Sequence, residues 1–209
     1  SELGITTDGK LWAWGKNTNY QTGLGTDVGT TTVPTQVTGV TNWASVSTDN
    51  SIGGGVTDDG KLYTWGYHAN GATGLGISAT TYTTRPARVG TDTDWKQVCV
   101  VGNVNGVACS YALKTDGRVY STGLNNVYQG GLNNTKTNLV FTHITGMTET
   151  VEKIAAGYGC CVALTTGGKL WTWGYGGAQH IQGLYESTTN YPKPLIPSGK
   201  FIDIAYGYW

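Results

Sequence analysis

The side chains of this sequence best suited to metal binding or nucleophilic catalysis are four cysteines and three histidines. A zinc site is poorly supported, because no Cys-x-x-Cys spacing occurs and no matching pair of histidines accompanies the thiols. The pattern favours small buried residues instead, and it leaves open a pairing of Cys109 with Cys160, which hold equivalent places in adjacent repeats. The four cysteines are Cys99, Cys109, Cys160 and Cys161.

The three histidines, His68, His143 and His180, fall at different positions of a repeat of about 50 residues, so repeat symmetry does not bring them together. We expect surface or loop roles for them rather than a metal site or a catalytic pair. No nucleophile, base and orienting group can be assembled from the sequence, which predicts a non-enzymatic protein with no metal and no cofactor.

Three recurring aspartates, Asp8, Asp59 and Asp116, could suggest catalytic carboxylates. Each precedes a glycine and lies between two apolar or alternating runs, which is a strong signal for a β-hairpin. We expect two-residue type I′ turns, in which Asp is chosen for its backbone preferences. The predicted turns are Asp8-Gly9, Asp59-Gly60, Asp116-Gly117 and, in the fourth repeat, Gly167-Gly168.

Glycine pairs around a leucine, Gly23-Leu24-Gly25 and Gly74-Leu75-Gly76, suggest a phosphate loop at first sight. They lack a strand-to-helix context and a following Gly-Lys-Ser/Thr, so that interpretation is discarded. Tryptophans could stack on sugars or bases, but their repetition at one strand position favours packing between sheets.

A short block ending in Gly occurs four times and defines the repeat. Its terminal glycines are 51, 57 and 51 residues apart, a period typical of stacked units that cannot bury their hydrophobic faces alone. Within the first block, alternation places Trp12 and Trp14 on one sheet face and Leu11 and Ala13 on the other. The structural repeat positions are Trp12, Trp14 and Gly15, Trp65 and Gly66, Tyr120 and Gly123, and Trp171, Trp173 and Gly174.

Each unit contains the signals for four short strands. After the hairpin comes a strand with proline, which predicts a sheet edge: Pro34, Pro86 and, in the fourth unit, Pro194 hold this place. Segments beginning at Trp43, Trp95, Val151 and Phe201 supply the last strand. A unit of about 50 residues with four strands predicts an all-β propeller of four repeats. We expect one domain, residues 1–209, with units near 1–42, 43–94, 95–150 and 151–200.

Residues 154–174 carry the best-preserved repeat, with Ile-Ala-Ala-Gly, then Ala-Leu, a glycine turn and Trp-Gly. The chain resembles the regulator of chromosome condensation repeat family over essentially its whole length. Departures occur where the family has His, at Ser1, Ile52, Cys109 and Cys160. The resemblance implies a β-propeller, usually of about seven blades, whose termini share one blade. Family roles include nucleotide exchange on a small GTPase with chromatin binding, inhibition of a β-lactamase, and scaffolding.

Two architectures remain open. Joining residues 201–209 to Ser1 restores the repeat spacing, which favours a closed four-bladed ring with 201–209 completing the first unit. Family precedent favours a segment of a larger propeller. The first residue is serine rather than methionine, which leaves open a processed or partial chain.

Charge and loop composition direct the functional prediction. The 13 basic and 13 acidic residues are scattered and sum to a net charge of zero, which argues against nucleic-acid binding and an exchange factor. No membrane span or signal peptide is predicted. Segments 26–33, 77–84 and 185–191 are rich in Thr, Ser, Asn and Tyr, as in virion proteins and adhesins. We therefore predict a structural or protein-interaction module of a virion, such as a phage tail or fibre, or of a cell surface. Its partners would be proteins, including neighbouring subunits, or surface glycans. The alternative is a secreted enzyme inhibitor, and a less favoured one is a guanine-nucleotide exchange and chromatin-binding scaffold.

Overall fold

A computed structural model describes residues 1–26, 29–102, 107–175, 188–195 and 199–206. Within them, fifteen β-strands form four antiparallel sheets, called here blades one to four in chain order. Blade one is β1 (Glu2–Ile5), β2 (Leu11–Lys16) and β3 (Thr30–Val37). Blade two is β4 (Trp43–Thr48), β5 (Ile52–Thr57), β6 (Leu62–Tyr67) and β7 (Tyr82–Arg88). Blade three is β8 (Trp95–Cys99), β9 (Cys109–Lys114), β10 (Val119–Gly123) and β11 (Asn138–His143). Blade four is β12 (Val151–Gly157), β13 (Cys160–Thr165), β14 (Leu170–Tyr175) and β15 (Thr188–Pro194).

The blades are arranged as in a propeller. In blades two to four the strands follow one another across the sheet in chain order. Their first strands contact each other at the centre of the array, β4 against β8 and β8 against β12. The last strands, β7, β11 and β15, form the outer edge, together with β3 of blade one. The predicted all-β propeller architecture is confirmed.

The four hairpins are present, but their turns differ from the expected two-residue type. In the first, Gly9 N donates to Thr6 O (2.8 Å) and Thr6 N donates to Lys10 O (3.0 Å), which closes a three-residue loop. Only the glycine has positive φ, +74° at Gly9, while Asp8 does not. This is a type I turn followed by a glycine bulge, the next most common hairpin loop. The three other hairpins repeat the pattern.

The glycine that ends each block lies at a bulge between the block strand and the outer strand of its blade. Gly66 has φ +97°, and the register of β6 with β7 shifts between Thr64 and Gly66. A Cβ at Gly66 would overlap the carbonyl oxygen of Ser51. Only glycine therefore fits both the backbone angle and the close approach.

The hydrophobic core lies between blades rather than within them. Leu11, Ala13 and Val37 of blade one pack with Trp43 and Trp65 of blade two. Two further clusters join blade two to blade three and blade three to blade four. A single repeat thus buries its apolar faces only against its neighbours, as expected of stacked units.

The edge proline of blade four is Pro192 and not the expected Pro194. Pro194 pairs with Trp171, which is the position that Gln36 holds opposite Trp12 in blade one. Pro192 therefore matches Pro34. Aligning the fourth repeat with the first on Pro194 shifts it by two residues, because a second proline, Pro192, lies within the same strand.

Blade one has three strands, with β1 at its inner side. In the part of the chain that the structure describes, no strand pairs with the free edge of β1, and residues 201–206 form no strand. The junction proposed from the sequence includes residues 207–209, which lie outside the described residues. The chain is thus an open array of four blades over the described ranges.

Candidate functional site

The four cysteines are free thiols. Cys109 and Cys161 lie in the core cluster at the boundary of blades three and four, and Cys99 packs against it. The Cys160 sulfur contacts Gly157 O and the Tyr206 hydroxyl. Cys109, Cys160 and Cys161 are buried, and Cys99 is half-buried. Burial raises the pKa of Cys99 and of Cys109 to about 12 and also raises the pKa of Cys160 and Cys161. Thiols of this kind are protonated and unreactive at neutral pH. No group of three or more His, Cys, Asp or Glu side chains suited to a metal ion occurs within the described residues.

His68 lies in the loop after β6, as expected, but its side chain is buried rather than on the surface. Its Nδ1 lies 2.9 Å from Thr73 Oγ1 and its Nε2 lies 2.7 Å from Thr83 Oγ1. Burial lowers the pKa of its imidazole. His143 is exposed on β11, and His180 lies outside the described residues.

A buried polar side chain recurs two residues after the block glycine and holds the loop that follows, which explains the position of His68. This feature was not predicted from the sequence. Two residues after the glycine of each block, blade one has Asn17 and blade three has Asn125. Asn17 Nδ2 donates to Thr26 O (2.6 Å), and its Oδ1 accepts from Thr22 Oγ1 (2.5 Å). These buried side chains hold the glycine-rich loop that follows. The signal in the sequence is that these polar residues always lie two positions after the block glycine.

The recurring aspartates hold the hairpin turns. Asp8 accepts a hydrogen bond from Thr6 Oγ1 (2.5 Å) and pairs with Lys10 at 2.6 Å. Hydrogen bonds from Lys10 and Thr6 lower the pKa of Asp8. Asp59 and Asp116 form the same type of exposed ion pair with the basic residue two positions later. No two of these carboxylates are brought together, because each lies in a different blade.

The block tryptophans pack at blade boundaries. Trp65 and Trp173 are fully buried and face the preceding blade, close to Gly23 and Gly131 respectively. Trp12 and Trp14 share the corresponding face of blade one and are half-buried, while Leu11 and Ala13 on the other face are fully buried. Blade three has Thr122 at the position of Trp65 and Trp173. There Phe141 lies beside Gly74 of the preceding blade, in place of the tryptophan ring.

A buried lysine is the least expected ionic feature. Lys114 Nζ lies 2.6 Å from Asp92 and 2.9 Å from Asp94, and 4.9 Å from the centre of the Trp95 ring. The equivalent residue is Thr57 in blade two. The carboxylates and the aromatic ring satisfy the ammonium group, so we assign it a structural role.

A central cleft of about 260 Å³ is lined by polar and small residues of several blades and by Tyr206. Its one acidic side chain, Asp49, accepts a hydrogen bond from Gly102 N (2.8 Å). Tyr206 packs on Gly157, with its hydroxyl 3.1 Å from the Cys160 sulfur. These groups are already paired and form no catalytic arrangement.

Exposed apolar side chains among the described residues concentrate in two places. Phe201 and Ile202 form the first group, at the end of the described chain. The second group lies on the outer strands and on the loop leading to β7, and we call it the rim. The rim residues are Val33, Ile77, Tyr82, Val140 and Tyr191. Polar threonines surround them along the same strands.

The regulator of chromosome condensation (RCC1) repeat model matches residues 8–50 and 116–164. The ultraviolet-B receptor UVR8 of Arabidopsis thaliana is 30% identical over 178 residues, which cover 83% of this chain and 39% of the receptor. The human E3 ubiquitin-protein ligase HERC2 is 28% identical over 132 residues, covering 59% of this chain and 2% of the ligase.

Solved structures show the same fold. Human WBSCR16 matches with a TM-score of 0.82 at 23% identity, covering 97% of this chain and 52% of that one. Prp20p of Saccharomyces cerevisiae, described with its binding to Gsp1p and histones, matches with a TM-score of 0.77 at 21% identity, covering 94% of this chain and 48% of that one. The chain thus spans about half the length of these propellers. No helix within the described residues is long and apolar enough to cross a membrane.

Proposed function

Because the chain is built from repeats of the RCC1 family, we propose that it is a non-enzymatic module that binds a partner protein on the rim of its blades. The observation that carries this proposal is the recurrence of an exposed apolar side chain at one repeat position. Val33, Val140 and Tyr191 hold this position in blades one, three and four and are 66%, 55% and 45% exposed, respectively. Blade two has Arg85 there. Single exposed apolar residues are ordinary, but their repetition at blade spacing is not explained by packing within the chain.

The chemistry of the rim fits a protein partner. Apolar and aromatic side chains within a polar, hydrogen-bonding surround are the composition of protein interfaces, where such residues supply most of the binding free energy. The relative Prp20p is described as binding Gsp1p and histones, and another of its structures contains Kap60, which supports the general class of partner. A histone or nucleic-acid partner is less well supported here, since the net charge is zero.

We place this module in an attachment assembly, a virion or a cell surface. The support is compositional: β3, one of the rim strands, has four threonines among its eight residues and no charged residue. Such surfaces remain polar without strong repulsion between closely packed neighbours. Glycans on a receptor are a second ligand of the same surface. A secreted inhibitor would use variable loops in the same way and is the rival hypothesis.

The absence of an enzymatic role is part of the proposal. It is supported by the raised pKa values of the buried thiols and by the turn function of the Asp carboxylates. His68 has both ring nitrogens next to threonine hydroxyls, so neither is available as a base.

The test is cross-linking mass spectrometry on the particle or cell-surface fraction that contains the native protein. Val33→Asp and Val140→Asp introduce charge at highly exposed positions, so the fold is preserved while an apolar contact is lost. Lys136→Ala, at another exposed position, is the matched control. We expect both rim variants to lose cross-links to a neighbouring protein at the rim and the control to retain them. Unchanged cross-links in both variants, or accelerated nucleotide release from a small GTPase, would contradict the proposal.

A further inference from the structure

The loop between two blades packs against the hairpin of the blade that it enters. Before blade two, Asn42 O accepts a hydrogen bond from Asp58 N at 2.8 Å. Before blade three, Asp94 O accepts the same bond from Thr115 N, also at 2.8 Å. Because a tryptophan begins the inner strand directly after each of these two loops, the two junctions can be compared residue by residue. We call such loops the connectors: residues 38–42, 90–94 and, before blade four, 145–150.

In blade three a lysine ammonium group fills the space between the connector and the hairpin. Lys114 Nζ lies 2.6 Å from Asp92 and 2.9 Å from Asp94, which both belong to the connector. It also lies 4.9 Å from the centre of the Trp95 ring and 5.3 Å from that of the Tyr120 ring. Carboxylates and aromatic faces are the groups that hold a partly desolvated ammonium, so this space is suited to a cation.

In blade four a carboxylate of the connector lies at the corresponding junction. Glu149 lies 2.5 Å from Lys169 Nζ and accepts a hydrogen bond from Trp171 Nε1 at 3.3 Å. Lys169 and Trp171 hold the positions of Lys61 and Tyr63 in blade two. In blades three and four, the chain therefore supplies a charged side chain of its own at this junction.

Blade two leaves the same space open. Opposite the tryptophan of the inner strand, it has Thr57 where blade three has Lys114. A cavity of about 290 Å³ takes the place of the longer side chain, and Thr57, Val40 and Tyr63 contribute to its lining. Every lining residue lies between residues 39 and 63, and the blades on both sides are present in the structure. The cavity is therefore a property of this junction and is independent of the chain ends.

The cavity carries one unbalanced negative charge. Its charged lining residues are Asp58, Asp59 and Lys61. Asp59 pairs with Lys61 at 2.6 Å, whereas the Asp58 carboxylate has no ion-pair or hydrogen-bond partner within the described residues. An uncompensated carboxylate beside a cavity attracts a cation and repels an anion.

The uncharged lining groups suit an ammonium on an aliphatic stem. Asn42 holds the place of Asp94, and its side-chain amide oxygen is an acceptor for an N–H donor. Tyr63 holds the place of Tyr120 and supplies an aromatic ring. Val40 is half-buried and adds apolar surface, against which methylene groups pack.

We propose that this cavity of blade two binds a primary alkylammonium group, supplied by a lysine side chain of a partner protein. The ammonium takes the place that Lys114 Nζ has in blade three, with Asp58 as its counter-charge. The lysine source rests on the proposed function, whereas the ammonium chemistry does not. The cavity shares no residue with the rim, so loss of binding at one of the two surfaces leaves the other intact.

The first test is a titration of the 209-residue protein with Nα-acetyl-lysine methylamide, followed by the backbone amide chemical shifts in NMR spectra. We expect saturable shifts at residues 39–42 and 57–61. The uncharged analogue Nα-acetyl-norleucine methylamide should bind at least about tenfold more weakly, because it lacks the ammonium. Equal affinity for the two probes, or no saturable shift in these residues, would overturn the proposal. Tighter binding of the free diamine putrescine than of the lysine probe would overturn the assignment to a protein lysine.

The second test uses variants to locate the site. Asp58→Asn removes the charge at nearly constant volume and should weaken binding of the lysine probe about tenfold. Glu152→Gln makes the same change at an exposed position of β12 and should leave binding intact. The triple variant Val40→Asp, Asn42→Asp, Thr57→Lys transfers the blade-three arrangement and should abolish binding while the far-UV spectrum is retained. Undiminished binding in Asp58→Asn would overturn the proposal, whether or not the triple variant folds.

Discussion

The indole Nε1 of Trp65 donates a hydrogen bond to the carbonyl oxygen of Gln21 at 2.9 Å, joining blade two to blade one. The residues are 44 positions apart in the chain. Trp173 holds the same repeat position in blade four and is equally buried, yet its Nε1 has no hydrogen-bond partner within the described residues. Blades two and four therefore share the ring but not its polar contact.

Comparing Trp65 with Trp173 separates the contribution of ring packing to stability from that of the hydrogen bond. Trp65→Phe and Trp173→Phe remove a similar apolar volume, but only the first leaves a buried carbonyl unpaired. We expect Trp65→Phe to lower the free energy of unfolding by about 1–3 kcal/mol more than Trp173→Phe. Urea titration followed by circular dichroism measures the difference. Equal losses in the two variants would show that the hydrogen bond contributes nothing to stability.

The block glycine can be tested against a glycine of similar backbone angle. Gly66 has φ +97° beside the Ser51 carbonyl, whereas Gly39 has φ +99° and no atom within 4 Å of an added Cβ. Gly39→Ala should cost about 1–2 kcal/mol from the backbone angle alone. Gly66→Ala should cost a further ~1–3 kcal/mol, because the bulge must move. Thermal unfolding of both variants measures the two contributions. A smaller loss in Gly66→Ala than in Gly39→Ala would contradict the proposed overlap.

His68 predicts a pH dependence of stability. Burial lowers the pKa of its imidazole in the folded chain, below the unfolded value of about 6.5. The unfolded chain therefore binds the proton first, so the contribution to stability is complete above pH ~6.5 and is lost as pH falls below it. Denaturant titrations from pH 7.5 to 5 should show this decline. His68→Asn, which places there the residue of Asn17 and Asn125, should flatten it, and an unchanged slope would refute the assignment.

We predict that the four cysteine thiols do not react with thiol reagents in the native protein. We expect no Cys99, Cys109, Cys160 or Cys161 to react with a thiol reagent at pH 7.5 within minutes, because burial raises each pKa. All four should react in 6 M guanidinium, as free thiols do. Ile202→Cys provides an accessible thiol as the positive control. Rapid modification of native Cys109 or Cys161 would show that the boundary of blades three and four opens.

Local patterns were predictable because they depend on neighbouring residues. The Asp8-Gly9 pair specifies a hairpin through backbone preference alone, although the loop contains three residues and not two. The spacing of the block glycines likewise specified four repeats. In contrast, the two prolines of β15 made the sequence alignment ambiguous, and only strand pairing placed Pro192 at the edge.

Residue order alone specifies the hairpins and the sheet faces of the block tryptophans, since each follows from residues a few positions apart, and the recurring block specifies the period. Only the packing of one blade on the next placed His68 in a buried, hydrogen-bonded position and gave Trp65, but not Trp173, a polar partner among the described residues. These properties depend on contacts between residues one repeat or more apart. Their geometry is set by how one blade stacks on the next.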